Sequence, residues 1–182
     1  AYTAMGTGFC MLNDIAVAAR KLLYTKSAKK ILIIDLDVHQ GDGTAKIFEH
    51  EKQIFTFSMH QKHQFPYYKQ RSSLDIELED GCDDRTYLGL LTDRLPVIDS
   101  DFKPDFIFYL AGADSYKGDR LGGLSLSMRG LKNRDEIVFK FARIDHKIPI
   151  CVTLAGGYAN KFEELGSIQS TTIRLGLDFQ AR

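Results

Sequence analysis

The sequence carries no net charge, no long apolar run and no cysteine framework. Its 24 basic and 24 acidic residues cancel. A broad electrostatic footprint for nucleic acid or an anionic membrane is therefore not expected. No apolar stretch approaches the roughly 20 residues of a membrane-spanning helix. The opening AYTAMGTGFCMLND has neither a basic n-region nor an apolar core, so no signal peptide is expected there. Cys10, Cys82 and Cys151 are odd in number, far apart, and form no CxxC pair. That argues against a disulfide framework and suits buried, inert thiols in a reducing cytosol. The expected location is cytoplasmic, or nuclear in a eukaryote. Repeats, low-complexity segments and linkers are also missing, and 182 residues suffice for one domain over 1–182. The chain opens without Met, in a loop rich in Gly, Ala and Thr, and so reads as part of a longer domain.

What is present centres on ILIIDLDVHQGDG, residues 31–43. The apolar run 31–34 reads as a parallel strand buried on both faces. Asp35, Asp37 and His39 then alternate with Leu36 and Val38. Side chains two apart on a strand share a face, so two carboxylates and an imidazole are expected to project together. An Asp after a strand is often a turn former or a helix cap. Three metal-capable groups together are harder to explain that way, since each desolvated charge needs compensation.

Around this stretch the pattern alternates between helix and strand. Asn13 or Asp14 caps a helix to about residue 24, and a short helix is expected over 44–50. Residues 53–59 and 73–78 read as strands, with His60 and His63 in a polar loop between them. In that loop Phe65, Pro66, Tyr67 and Tyr68 either line a pocket mouth or pack. A helix is expected from Asp83 or Asp84 to about residue 95, ended or broken by Pro96. The strand 105–111 runs into Gly112-Ala113-Asp114, and a glycine-rich loop follows. A helix over 129–146, a strand over 148–154 ending in Gly156-Gly157-Tyr158, and a helix over 161–177 complete the order.

Such alternation predicts an α/β fold with one mostly parallel sheet between helices. All carboxyl ends of its strands lie at one edge, which gathers Asp35, Asp37, His39, Asp114 and Tyr158. Three ligands with an open position is the pattern of a catalytic zinc. A tyrosine hydroxyl beside it can donate to an oxyanion. The combination suits hydrolysis of an amide or ester.

The segments GFCMLNDIAVA, DLDVHQGDG, AGAD, GDRLGGLSLS and GGY resemble, in this order, the histone deacetylase superfamily. The resemblance spans about Gly8 to Tyr158. It implies the arginase/deacetylase fold, here lacking its N-terminal part, and removal of acyl groups from lysine side chains. It implies zinc on Asp37, His39 and Asp114, with Tyr158 polarising the substrate carbonyl. Asp42 matches an acid that orients a catalytic histidine, and Asp35 an acid next to the metal. A structural potassium ion is implied on the side chains of Asp35 and Ser58 and the backbone carbonyls of Asp37, His39 and Met59. Gly8, Phe9, Phe65, Leu121, Gly156 and Gly157 match the substrate tunnel. Gln40, and GDRLGGLS followed by RDEIVF, are most similar to class IV and bacterial deacetylase-like members. The implied partners are an acylated lysine in a protein or a small acylated amine. For the latter, Asp101 and Asp119 are candidate rim acids. The superfamily's histidine pair, one of which is the general base, matches a place just before Ala1, so a metal-bound but catalytically silent module that binds acyl-lysine is the alternative expectation.

Overall fold

The computed structural model describes residues 1–181. Helix α1 spans Asp14–Tyr24, and Asn13 caps it by accepting from the Ala16 amide at 2.9 Å. Strand β1, Ile31–Asp35, is buried along its whole length. Its alternate residues face two different cores. Ile31 and Ile33 pack with Ile15, Ala16 and Ala19 of α1, and with Phe48 of the short helix α2, Asp42–Phe48. Leu32 and Ile34 pack into the larger core on the other face. Each such residue, taken out of water completely, contributes about 1.5–3 kcal/mol.

Strand β2, Ile54–Gln61, pairs with β1 in parallel, and β3, Leu74–Leu78, pairs with β2. The link between β2 and β3 is an irregular crossover over 62–73. Helix α3, Asp84–Phe102, leads to strand β4, Phe106–Ala111, which pairs with the opposite side of β1. Helix α4, Met128–Lys140, continues as a π-helical turn, Phe141–Asp145. Strand β5, Ile150–Leu154, pairs with β4, and helix α5, Phe162–Gln180, follows. The five strands are all parallel, in the order β3-β2-β1-β4-β5. Strand order therefore reverses between β1 and β4. In open α/β sheets, ligands bind outside the carboxyl ends of strands at this switch point.

Four local expectations change. The first strand ends at Asp35, so Asp37 and His39 lie in a bend. The reason is local: Asp35 Oδ1 accepts the Asp37 amide at 3.1 Å, and Asp37 Oδ1 accepts the His39 amide at 3.0 Å. Two successive carboxylate-to-backbone turns thus compete with the strand. Pro96 does not end its helix, which runs on to Phe102. Leu91, Leu95 and Ile98 are buried on either side of it, while Thr92, whose carbonyl loses its donor, is exposed to water. His60 is no loop residue; it lies in β2 and is fully buried. The thiols of Cys10 and Cys151 are exposed rather than buried, because one lies in the N-terminal loop and the other on an edge strand.

Candidate metal centre

β1 and β4 bring their exits together at the switch point. Asp37 and His39 follow β1, and Asp114 follows β4. One ligand atom from each lies within 4.8 Å of the others. His39 Nδ1 is 3.1 Å from Asp37 Oδ1 and 3.4 Å from Asp114 Oδ2. Neighbouring ligands of a tetrahedral zinc, with bonds of about 2.0–2.1 Å, stand roughly 3.3–3.4 Å apart. Donor types and spacing both fit a divalent ion.

The remaining oxygens are held by backbone amides. Asp114 Oδ1 accepts from Val38 at 2.9 Å, and Asp37 Oδ2 accepts from Gly156 at 2.8 Å. Gly156 has to be glycine, because a Cβ there would overlap Asp114 Oδ2 and come within 2.7 Å of Asp37 Oδ2. So the loop carrying Tyr158 closes directly onto both carboxylates.

Electrostatics show a cluster short of positive charge. Burial, then the charge of Asp37, pushes Asp114 up to about 7. The same two causes push the buried Asp35 well above the usual carboxylate range. Burial opposes charge on His39, but its hydrogen bonds to Asp114 and Asp37 outweigh this and raise it to about 10. Burial also acts upward on Asp37, yet the hydrogen bonds from His39 hold it below its ordinary value. Three carboxylates thus share a single imidazolium, and a bound cation would displace its proton.

The other expected site residues surround this cluster. Gly8 and Phe9 occupy a tight turn in which both have positive φ, +59° and +62°. The turn is closed by reciprocal bonds between Thr7 and Cys10, each 3.0 Å. Positive φ is uncommon for a phenylalanine. Its ring meets Tyr158 edge-on at 6.1 Å, and Phe65 meets His39 at 6.5 Å. Gln64 Nε2 donates to Leu121 O at 2.6 Å and ties the Phe65 loop to the Leu121 loop. Phe65, Leu121 and Tyr158 are each about 40% exposed, as residues at a mouth would be.

Asp35 is in register with Ser58 across β1 and β2. Both line a cavity of about 10 Å³, room for roughly one water or ion. Asp42 Oδ2 accepts from the Tyr2 hydroxyl at 2.8 Å. His63 is exposed, 3.7 Å from Glu79. His60 Nδ1 pairs with Ser58 Oγ at 2.9 Å, and burial pushes its pKa down to about 4. Asp101 cannot serve the rim. It sits near the far end of α3, where Lys30 Nζ, just before β1, donates to Phe102 O at 2.9 Å.

The sequence reading missed the supporting role of Gln40 and missed Arg134 altogether. Gln40 Nε2 donates to Gln70 O at 2.7 Å and to Asp75 Oδ1 at 2.9 Å, while its Oε1 accepts the Gln70 amide at 2.8 Å. It therefore latches the loop that carries Phe65. Arg134 is fully buried and donates to Gly112 O at 2.6 Å and Leu36 O at 3.4 Å, beneath both strand exits. A signal for it existed: Arg134 falls three residues after Leu131 and four before Val138, on the apolar face of its helix.

The family model described as histone deacetylase domain matches residues 1–173. The chain belongs to the histone deacetylase family. An uncharacterised protein of Picosynechococcus is 46% identical over 165 residues, covering 91% of this chain and 55% of that protein. Histone deacetylase 2 of Arabidopsis thaliana is 34% identical over 156 residues, covering 84% of this chain and 40% of that one. The crystal structure of the HDA15 HD domain aligns with a TM-score of 0.74 at 27% identity, over 94% of this chain and 52% of the other. An acetylpolyamine aminohydrolase from Burkholderia pseudomallei aligns at 0.79 and 20% identity, over 94% and 51%, which is likeness of fold. This family member thus spans about half the length of the relatives it matches. The arginase/deacetylase α/β fold expected from the motifs is the one observed. Among the described residues no helix is long and apolar enough to cross a membrane.

Proposed function

We propose that the chain forms the metal-and-tyrosine part of a zinc-dependent deacylase acting on acylated lysine side chains. The carrying observation is the meeting of Asp37, His39 Nδ1 and Asp114 at the switch point of a deacetylase-family fold. These three would hold the zinc, with Asp35 beside them. When bound, zinc supplies Lewis acidity and a water acidified to a pKa of about 7. Tyr158 donates its hydroxyl to the substrate carbonyl as negative charge develops there. Phe9, Phe65 and Leu121, with Gly8, Gly156 and Gly157, line the passage for the apolar lysine stem and keep water from it. Asp42 fixes the tautomer of a proton-accepting histidine. That histidine pair has no match in residues 1–182, whose five histidines are His39, His50, His60, His63 and His146. Turnover by this segment alone is expected to be lower by the roughly 10²–10⁴-fold typical of general-base catalysis.

Two finer assignments go with this reading. A potassium ion would be held by the side chains of Asp35 and Ser58 and the backbone carbonyls of Asp37, His39 and Met59. Its support is the register that sets Asp35 beside Ser58, and a buried carboxyl that a neighbouring cation would hold ionised. The class IV-like character rests on Gln40, whose amide is built into a loop latch that an imidazole would not reproduce.

The test is Asp114→Ala with zinc counted by mass spectrometry and turnover measured on an acetyl-lysine peptide. Zinc and activity should vanish together. Retained stoichiometric zinc would refute the ligand set. Faster turnover of acetylated diamines than of the peptide would reject the substrate class.

A further inference from the structure

We propose that Asp119 is a positioning residue that fixes Tyr158 over the site and couples it to the Leu121 wall. The inference rests on the reading of Tyr158 as the tyrosine acting on the substrate carbonyl. Asp119 Oδ2 accepts the Tyr158 amide at 2.6 Å. Its Oδ1 accepts the amides of Leu121 and Gly122 at 2.8 and 2.9 Å. One carboxylate thus joins two loops that lie 39 residues apart.

The surrounding bonds sew the same seam. The Arg120 amide and Nε donate to Tyr158 O at 3.1 and 3.2 Å. The Asn160 amide and Nδ2 donate to Gly118 O at 2.9 and 3.0 Å. Asp119 and Ala159 form an antiparallel bridge.

This matters because the Tyr158 ring itself has little packing, so its backbone anchors set where the hydroxyl stands. Tyr158 follows two glycines, stands 41% exposed, and meets Phe9 only edge-on. Its loop is pinned at the start, where Gly156 donates to Asp37 Oδ2. Asp119 pins the other end. A carboxylate accepting backbone N–H groups makes charge-assisted bonds, stronger than neutral ones. The same carboxylate gives the Leu121 wall and the tyrosine a common mount, so acyl-chain fit and carbonyl polarisation are adjusted together.

The experiment is a double-mutant cycle on the full-length, zinc-loaded protein. Asp119→Asn and Asp119→Glu are each made with Tyr158 present and with Tyr158→Phe. Asp119→Asn turns an N–H2 toward amide donors. It should lower kcat by roughly 10- to 100-fold when Tyr158 is present, less than the outright loss of an oxyanion donor. In the Tyr158→Phe background it should leave kcat unchanged while still raising KM. Asp119→Glu, which keeps the carboxylate, should recover part of kcat. Equal losses of kcat in both backgrounds would reduce Asp119 to a merely structural role. A second readout is the fluorine resonance of 3-fluorotyrosine at position 158, assigned by its loss in Tyr158→Phe. Asp119→Asn should shift and sharpen it, and an unmoved resonance would overturn the proposal whatever the kinetics. Unchanged kcat in Tyr158→Phe alone would instead overturn the catalytic reading of Tyr158. The resonance would then report the anchoring separately.

Discussion

Two buried acid clusters lie on one sheet, and they are completed in opposite ways. Below the strand exits, Asp135 is paired with Arg134, one charge to one. Its Oδ1 accepts from Tyr109 at 2.5 Å and from Arg134 Nε and Nη2 at 3.0 and 2.9 Å, and its Oδ2 accepts from Thr172 at 2.5 Å. Burial opposes charge on Arg134, but the groups around it, Tyr109 and Asp135 first, hold it protonated. At the rim, among the described residues, Asp35, Asp37 and Asp114 share the single imidazole of His39. The first cluster is closed and asks for nothing from outside. The second holds an excess of buried negative charge that only a proton or a cation can relieve. Charge imbalance, rather than burial or polarity, separates the candidate metal cluster from the paired one.

The same substitution in each cluster should have opposite consequences. Asp135→Asn leaves Arg134 buried with half a partner, and should destabilise the fold by about 3–5 kcal/mol in urea titrations. Zinc stoichiometry in the folded fraction should be unchanged. Asp114→Asn should lose stoichiometric zinc, yet leave the metal-free protein equally or more stable above about pH 7, where Asp114 would otherwise carry its charge. If both variants lose stability alike, the contrast is wrong.

Tyr158→Phe tests the open cluster from its facing loop. Zinc content should stay and kcat should fall by about 10²–10³-fold. A smaller effect is expected from Gly156→Ala, whose methyl intrudes on Asp37 and Asp114. Isothermal titration should show zinc affinity reduced by roughly 10–100-fold, as for other groups that orient ligands. An affinity equal to that of the unsubstituted protein would mean the loop yields freely.

The last comparison concerns His60, a buried base outside both clusters. Its pKa in the fold, about 4, lies below the ordinary 6.5. The unfolded chain therefore takes up the proton first. Its contribution to stability is full above about pH 6.5 and is lost as the pH falls toward 4. His60→Gln lacks this loss while keeping the rim carboxylates, so the gap between its urea midpoint and that of the unsubstituted zinc-free protein should shift across that window.

Much of this was legible in advance, for reasons that differ by residue. The alternation of elements, the buried strand 31–34 and the turn after residue 111 follow from apolar period and glycine placement. Both operate over a few residues. Asp37, His39, Asp114 and Tyr158 could be singled out because each stands at the end of such a strand. The bend at 35–39 could not, because spacing by two suits a strand and a carboxylate-to-backbone turn equally. Nor could the course of α3 through Pro96, where buried neighbours outweigh a local penalty.

The sequence by itself determined the class of fold, the edge at which the site forms and the chemistry of the groups there. Period and side-chain type are properties of the chain alone. Tertiary structure decided which acids are closed and which are open. It paired Asp135 with Arg134, left Asp35, Asp37 and Asp114 to one imidazole, and gave Asp119 to three amides. Identical carboxylates differ only in the donors that reach them, and several of those donors, such as Thr172 for Asp135 or Tyr158 for Asp119, come from residues distant in sequence.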